Sequence, residues 1–164
     1  MSETLFDACL RALPRHILSE SIDVRRYSLC CGLEWLDFST TVGCLVAEYG
    51  NTVRLRSFLQ TCARPSRDGL GDTLLHKACR SKKQSVQKIQ LLLNFEMTWL
   101  NSQNKNGVAP IHIAATKKNP DALKLLMSHS DCDVNMRSRQ RLTALHIAAH
   151  GGLIDNVNEL LPHP

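Results

Sequence analysis

Thr143-Ala144-Leu145-His146-Ile147-Ala148-Ala149 decides how this chain folds, because the pattern occurs more than once. Ala109-Pro110-Ile111-His112-Ile113-Ala114-Ala115 is a second copy, and Thr73-Leu74-Leu75-His76-Lys77-Ala78-Cys79 is a third. Their starts lie 36 and 34 residues apart. A bulky apolar doublet follows each: Leu92-Leu93, Leu126-Met127 and Leu160-Leu161. A fixed period of this kind marks stacked supersecondary units, each too small to bury its own apolar face. Once the frame is known, Thr41-Val42-Gly43-Cys44-Leu45-Val46-Ala47 reads as a fourth copy without the histidine, 32 residues before Thr73. It continues Glu48-Tyr49-Gly50-Asn51, then Leu55 and Phe58-Leu59, in the register of the others.

Each position has a physical task. Thr caps a helix start, and Pro110 suits a first helical turn. Leu145 and its equivalents point into the stack, while Ala148 and Ala149 let neighbouring helices approach. Gly50 and Gly152 are expected to take left-handed backbone between the two helices of a unit. Lys118-Asn119 stands there in the third unit, and asparagine tolerates that conformation. Asn104-Lys105-Asn106-Gly107 is expected to form a hairpin finger reaching the next unit. The period and the T-P-L-H-x-A core resemble the ankyrin repeat. The resemblance implies an all-α fold, an ankyrin-repeat solenoid of about four helix–turn–helix repeats over residues 41–164, starting near Thr41, Thr73, Ala109 and Thr143. Residues 1–40 are expected to form an N-terminal helical cap, with Leu5, Phe6, Cys9, Leu10 and Leu13 on one face and Pro14 closing the helix.

Composition narrows the function. With 164 residues and 43% hydrophobic content the chain can build a packed core, and 5% aromatics suits thin packing of Leu, Ile, Val and Ala. The seven cysteines are an odd number at irregular spacing with no C-x-x-C pair, as expected of reduced, buried thiols in a reducing compartment. Neither a signal-peptide pattern nor an apolar run of about 18 residues occurs, so no membrane partner is expected. The expected compartment is the cytoplasm, with the nucleus also open to the protein. No H-E-x-x-H, G-x-S-x-G or P-loop occurs, and Cys30-Cys31 has no nearby base, so no catalytic residue and no cofactor are assigned. His76, His112 and His146 fall one per unit, about 10 Å apart by helix diameter, too far to share a zinc ion. No metal site is assigned; in the ankyrin resemblance these histidines brace their own repeat and the next. The net charge is +5, with Lys77, Arg80, Lys82, Lys83, Lys88, Lys105, Lys117, Lys118 and Lys124 concentrated in two units. The cluster reads as a solvated helix face, and without interleaved aromatics direct nucleic-acid binding is not expected.

A narrower resemblance lies in the irregularities. Gly71-Asp72-Thr73-Leu74-Leu75-His76-Lys77-Ala78, the extra residues within Arg80–Ile89, and Leu100-Asn101-Ser102-Gln103-Asn104 resemble the inhibitor-of-kappa-B family. So do Pro110-Ile111-His112-Ile113-Ala114, Asn119-Pro120 and Cys132-Asp133. The resemblance covers Gly71 to Leu161. Neither a Asp-Ser-Gly-x-x-Ser phosphodegron nor an acidic Pro/Ser/Thr-rich tail occurs, and in this the chain is similar to the short viral inhibitor-of-kappa-B-like proteins of polydnaviruses. The resemblance implies a protein that sequesters host Rel/NF-kappa-B transcription factors and suppresses immune signalling. The alternative is an ankyrin adaptor with another protein partner. The expected partner-binding residues are Asp68 and Asp72, Lys77 and Arg80, Asn104, Lys105 and Asn106, Thr116 and Lys117, and Arg139, Gln140 and Arg141. Asp72 leads them, as a mate for a basic import segment.

Overall fold

The computed structural model describes residues 35–61, 67–82 and 85–162. Residues 1–34, and with them most of the expected cap, lie outside the described residues. Eight α-helices, one short 3-10 turn at Met97–Trp99 and no strand occur among the described residues. They form four helix–turn–helix units. These are α1 (Trp35–Tyr49) with α2 (Thr52–Thr61), α3 (Leu74–Arg80) with α4 (Ser85–Phe95), α5 (Pro110–Ala114) with α6 (Asp121–Met127), and α7 (Ala144–His150) with α8 (Ile154–Leu160). First helices pack in a row, α1 on α3, α3 on α5 and α5 on α7; α2 packs on α4 and α4 on α6. The two rows sandwich a core that includes Leu55, Phe58, Leu74, Leu75, Ile89, Leu92, Ile111, Leu123 and Leu126, all fully buried. Each such side chain contributes about 2 kcal/mol by leaving water.

Thr73, Ala109 and Thr143 stand just ahead of α3, α5 and α7 with extended backbone, φ −86°, −100° and −92°. The first unit departs from this. α1 starts at Trp35, so Thr41 lies inside the helix and the boundary drawn at residue 40 falls within it. The reason is local. Trp35-Leu36-Asp37-Phe38-Ser39-Thr40 contains neither Gly nor Pro, and Cys44 replaces the histidine that would cap a start at Thr41.

The turns between helices also differ from expectation. Gly152 is left-handed, φ +65°, but Gly50 and Lys118-Asn119 are not. Gly50 is required for room, since a Cβ there would sit 2.5 Å from the Val46 carbonyl oxygen. Asn119 builds its turn with the side chain: its Oδ1 accepts the Asp121 N–H at 3.0 Å, and its Nδ2 donates to the Asp121 carboxylate at 2.9 Å.

Polar side chains reach across every boundary to carbonyls at or just past the end of the preceding first helix, groups that a helix end leaves without partners. Lys88 Nζ donates to Ala47 O (3.1 Å), Glu48 O (3.3 Å) and Ser81 Oγ (2.7 Å). Lys117 Nζ donates to Arg80 O at 2.6 Å. Asn156 Nδ2 donates to Ala115 O (3.0 Å) and Lys117 O (2.7 Å). Lys88 is therefore no part of a solvated face; it is fully buried, and burial pushes its ammonium down to about 8. Its position, four residues before the first leucine of the doublet, faces the stack, and Ala122 and Asn156 occupy the same register.

Candidate protein-binding surface

Three fingers are built by one recipe. In each, a four-residue turn closes with a hydrogen bond from its last N–H to its first carbonyl: Gly71 to Asp68 (2.8 Å), Gly107 to Asn104 (2.9 Å) and Arg141 to Ser138 (2.8 Å). The first residue of each then pairs with the residue just after the turn: Asp68 N–H to Asp72 O (3.0 Å), Asn104 N–H to Val108 O (3.0 Å) and Ser138 N–H to Leu142 O (2.9 Å). The last turn residue is left-handed in all three, with φ +80° at Gly71, +69° at Gly107 and +63° at Arg141. Fingers join side to side through Lys105 N–H to Leu70 O (3.0 Å) and Arg139 N–H to Asn106 O (3.1 Å). A Cβ at Gly107 would lie 2.6 Å from Arg139 N, so glycine serves both the turn and the close approach.

The histidines carry the fingers. Thr73 N–H donates to His76 Nδ1 (3.1 Å), which makes Nδ1 an acceptor and leaves Nε2–H to donate to Val108 O (2.9 Å) in the next unit. His112 repeats this, accepting from Ala109 N–H (3.0 Å) and donating to Met136 O (3.0 Å) and Leu142 O (3.1 Å). Burial holds both imidazoles below the usual histidine range, in the neutral form this bonding needs. His146 keeps the local half, 2.8 Å from Thr143 Oγ1, but is exposed.

The expected binding residues divide into two groups. Asp68, Asp72, Lys77, Arg80 and Asn104 form a network centred on the buried Asp72, with Asp68, Arg80 and Asn104 half-buried at its edge. Asp72 is fully buried and Lys77 is 8% exposed. Lys77 Nζ lies 2.9 Å from Asp68 and 3.1 Å from Asp72; Arg80 lies 3.2 Å from Asp72, and Asn104 Nδ2 donates to Asp72 Oδ1 at 2.7 Å. Asp68 Oδ1 also accepts Leu70 N–H (2.9 Å) and Asp72 N–H (2.8 Å). Burial alone would raise the Asp72 carboxyl, but the hydrogen bonds from Asn104 and Lys77 outweigh it and hold it below the usual range. Burial would lower Lys77, and its bonds to Asp68 and Asp72 raise it instead. Asp72 thus has its mates within its own chain, and Asn104 ties the first finger to the second. The other group faces solvent: Lys105, Asn106, Thr116, Arg139, Gln140 and Arg141 are exposed, and Lys117 is half-buried. Lys105 Nζ donates to Gly69 O at 2.7 Å, and Thr116 Oγ1 to Ile113 O at 2.7 Å.

Several positioning residues carried no individual signal in the sequence. Arg67 donates to Gln103 O (2.5 Å) and Gly71 O (3.3 Å). Gln103 Nε2 donates to Gly107 O (2.9 Å) and Arg137 O (2.8 Å), and Asn101 Nδ2 to Asp131 O (2.5 Å). The Leu-Asn-x-Gln-Asn stretch is therefore a set of clamps between successive loops. On the far side, an apolar groove of about 310 Å³ runs between α2 and α4, lined by Leu59, Leu91 and Phe95 with Arg56, Gln60 and Asn94.

The exposed polar and basic side chains of the fingers can hydrogen-bond and ion-pair with another surface. No group of three His, Cys, Asp or Glu suited to hold a metal occurs among the described residues. Burial pushes the Cys44 and Cys79 thiols up to about 12, far from nucleophilic. No described helix is long and apolar enough to cross a membrane.

Comparison with known proteins agrees with this architecture. The chain is 35% identical over 81 residues to transient receptor potential cation channel subfamily A member 1 of Homo sapiens, covering 49% of this chain and 7% of that protein. It is 33% identical over 95 residues to alpha-latrotoxin-Lg1a of Latrodectus geometricus, covering 57% and 7%. It is 28% identical over 91 residues to NF-kappa-B inhibitor alpha of Sus scrofa, covering 55% and 29%. The chain thus spans less than a third of the length of these relatives. The family profile described as ankyrin repeats, in three copies, matches residues 43–138 and 84–164. With that match laid over four stacked helical hairpins, three of them bearing the braced histidine, the chain belongs to the ankyrin-repeat family.

Proposed function

We propose that this protein is an inhibitor that binds and sequesters Rel/NF-kappa-B transcription factors. It acts in the cytoplasm of a host cell, by steric cover of the factor's import and DNA-binding surfaces rather than by catalysis. The observation that carries this reading is the likeness to NF-kappa-B inhibitor alpha over 91 residues, and beside it stands the resemblance of Gly71-Asp72, Leu100-Asn101-Ser102-Gln103-Asn104 and Cys132-Asp133 to that family's irregular stretches. The contact surface in this reading is the solvent-facing half of the expected set: Lys105, Asn106, Thr116, Lys117, Arg139, Gln140 and Arg141. Asp68, Asp72, Lys77, Arg80 and Asn104 act one step behind it, by holding the fingers in place. The viral source and the suppression of host immunity belong to the same proposal.

Capture on the immobilised chain from immune-stimulated insect-cell lysate tests it. A Rel-type factor in the bound fraction, lost on Arg139→Glu with Gln140→Ala, supports the reading. Its absence, together with an unrepressed kappa-B reporter, overturns it. A second reading, an ankyrin adaptor with a different protein partner, is favoured by the comparable identity to ankyrin proteins as different as the cation channel and the latrotoxin.

A further inference from the structure

The third finger breaks the rule of the other two. Where the first and second end on Gly71 and Gly107, the third places Arg141 at φ +63°, the single non-glycine left-handed residue among those described. For an L-residue with a Cβ this conformation is strained, because the Cβ crowds the following carbonyl oxygen. Glycine would remove that strain, and Gly107 shows that the same turn accepts it. Arg139 precedes Arg141 in the same turn, Arg137 stands exposed just ahead of it, and Lys105 stands on the adjoining finger. No ion pair to these arginines occurs among the described residues, whereas Lys77, Arg80 and Lys124 are all paired with carboxylates. A strained residue that adds a third unpaired guanidinium to one finger marks a recognition element.

We propose that this finger is the docking point for an acidic segment of a partner protein, its carboxylates held by Arg139 and Arg141 with Arg137 and Lys105 beside them. The charge complementarity is local: three guanidinium forks in five residues, with no carboxylate between them. Guanidinium matches a carboxylate bidentately. The finger residues from Arg137 to Leu142 include no aromatic ring, which argues against stacking on nucleic-acid bases. The inference rests on the protein-binding reading of the stack and not on the identity of the partner.

The test measures the intact chain against a fluorescein-labelled glutamate-rich peptide by anisotropy, from about 0.05 to 0.3 M salt. Arg141→Gly is expected to raise the melting temperature by about 2–4 °C while weakening peptide binding about three- to tenfold. Arg139→Ala weakens it by a similar factor, and Lys82→Ala, at the opposite end of the units, leaves it unchanged. A gain in stability with a loss of binding excludes unfolding as the cause. The proposal is overturned if Arg141→Gly leaves affinity within twofold of the parent, if Lys82→Ala weakens binding as much, or if a duplex DNA of similar charge binds more tightly than the peptide. Failure here leaves capture of a Rel factor free to succeed, and the reverse also holds.

Discussion

The joint between the second and third units and the last unit are made from nearly the same residues, yet they stand in opposite conditions. At the inner joint His76 and Ala115 are fully buried and every polar reach ends on a partner. In the last unit the equivalent His146 and Ala149 are exposed, and so are Ile154 at 71% and Leu161 at 61%. The difference shows that this consensus encodes a relation between neighbours. Histidine contributes its distal bond where another finger offers a carbonyl, and the small size of alanine matters where a neighbouring helix packs on it.

The contrast breaks most sharply at Asp72. Asp72→Ala strips Lys77 and Arg80 of a shared, fully buried carboxylate and Asn104 of its acceptor. The expected loss is about 3–5 kcal/mol, read from the urea midpoint at constant m-value; a loss under 1 kcal/mol places the network's weight elsewhere. The histidines compare the two regions directly. His112→Ala removes a buried ring and its bonds to both Met136 and Leu142, at about 2–3 kcal/mol. His146→Ala, at an exposed site, costs about 0.5–1 kcal/mol. Equal costs in the same denaturation assay contradict the comparison. Gly107→Ala adds a Cβ in left-handed backbone against Arg139 N and costs about 1–2 kcal/mol.

Acid sharpens the same contrast with a smaller effect. His76 and His112 sit below the ordinary histidine value in the folded stack, so the unfolded chain takes up protons first. Their stability is present above about pH 6.5 and is lost as pH falls from there through their folded values. Urea midpoints measured between pH 7.5 and 5.5 should fall for the parent and flatten for the His76→Gln/His112→Gln variant. A parent profile that stays level across that range refutes the assignment of neutral, buried imidazoles.

Much of this was legible because register is written in small and apolar residues. Thr73, Pro110 and the leucine doublets announce helix starts and ends, and the three histidines could be placed without coordinates. The weaker first unit misled at Thr41, because a missing histidine leaves no cap signal and the helix simply continues. Charge was harder to read. Lys77, Lys88 and Asp72 look like surface residues by type, and only the fold shows that each finds its acceptors or mates inside. Conversely Arg139 and Arg141 read as ordinary finger residues, and the left-handed backbone that distinguishes Arg141 leaves no mark in composition.

The central claim is that the buried joint between the second and third units keeps its polar groups to itself and that binding belongs to the fingers and first-helix ends that face solvent. Hydrogen exchange of the captured complex, followed by mass spectrometry, tests it most directly. The account predicts new protection at residues 104–106, 116–117 and 138–142, with α3 and α5 as slow in the free chain as in the bound one. Protection confined to the α2–α4 groove around Leu59, Leu91 and Phe95, with unchanged fingers, contradicts it.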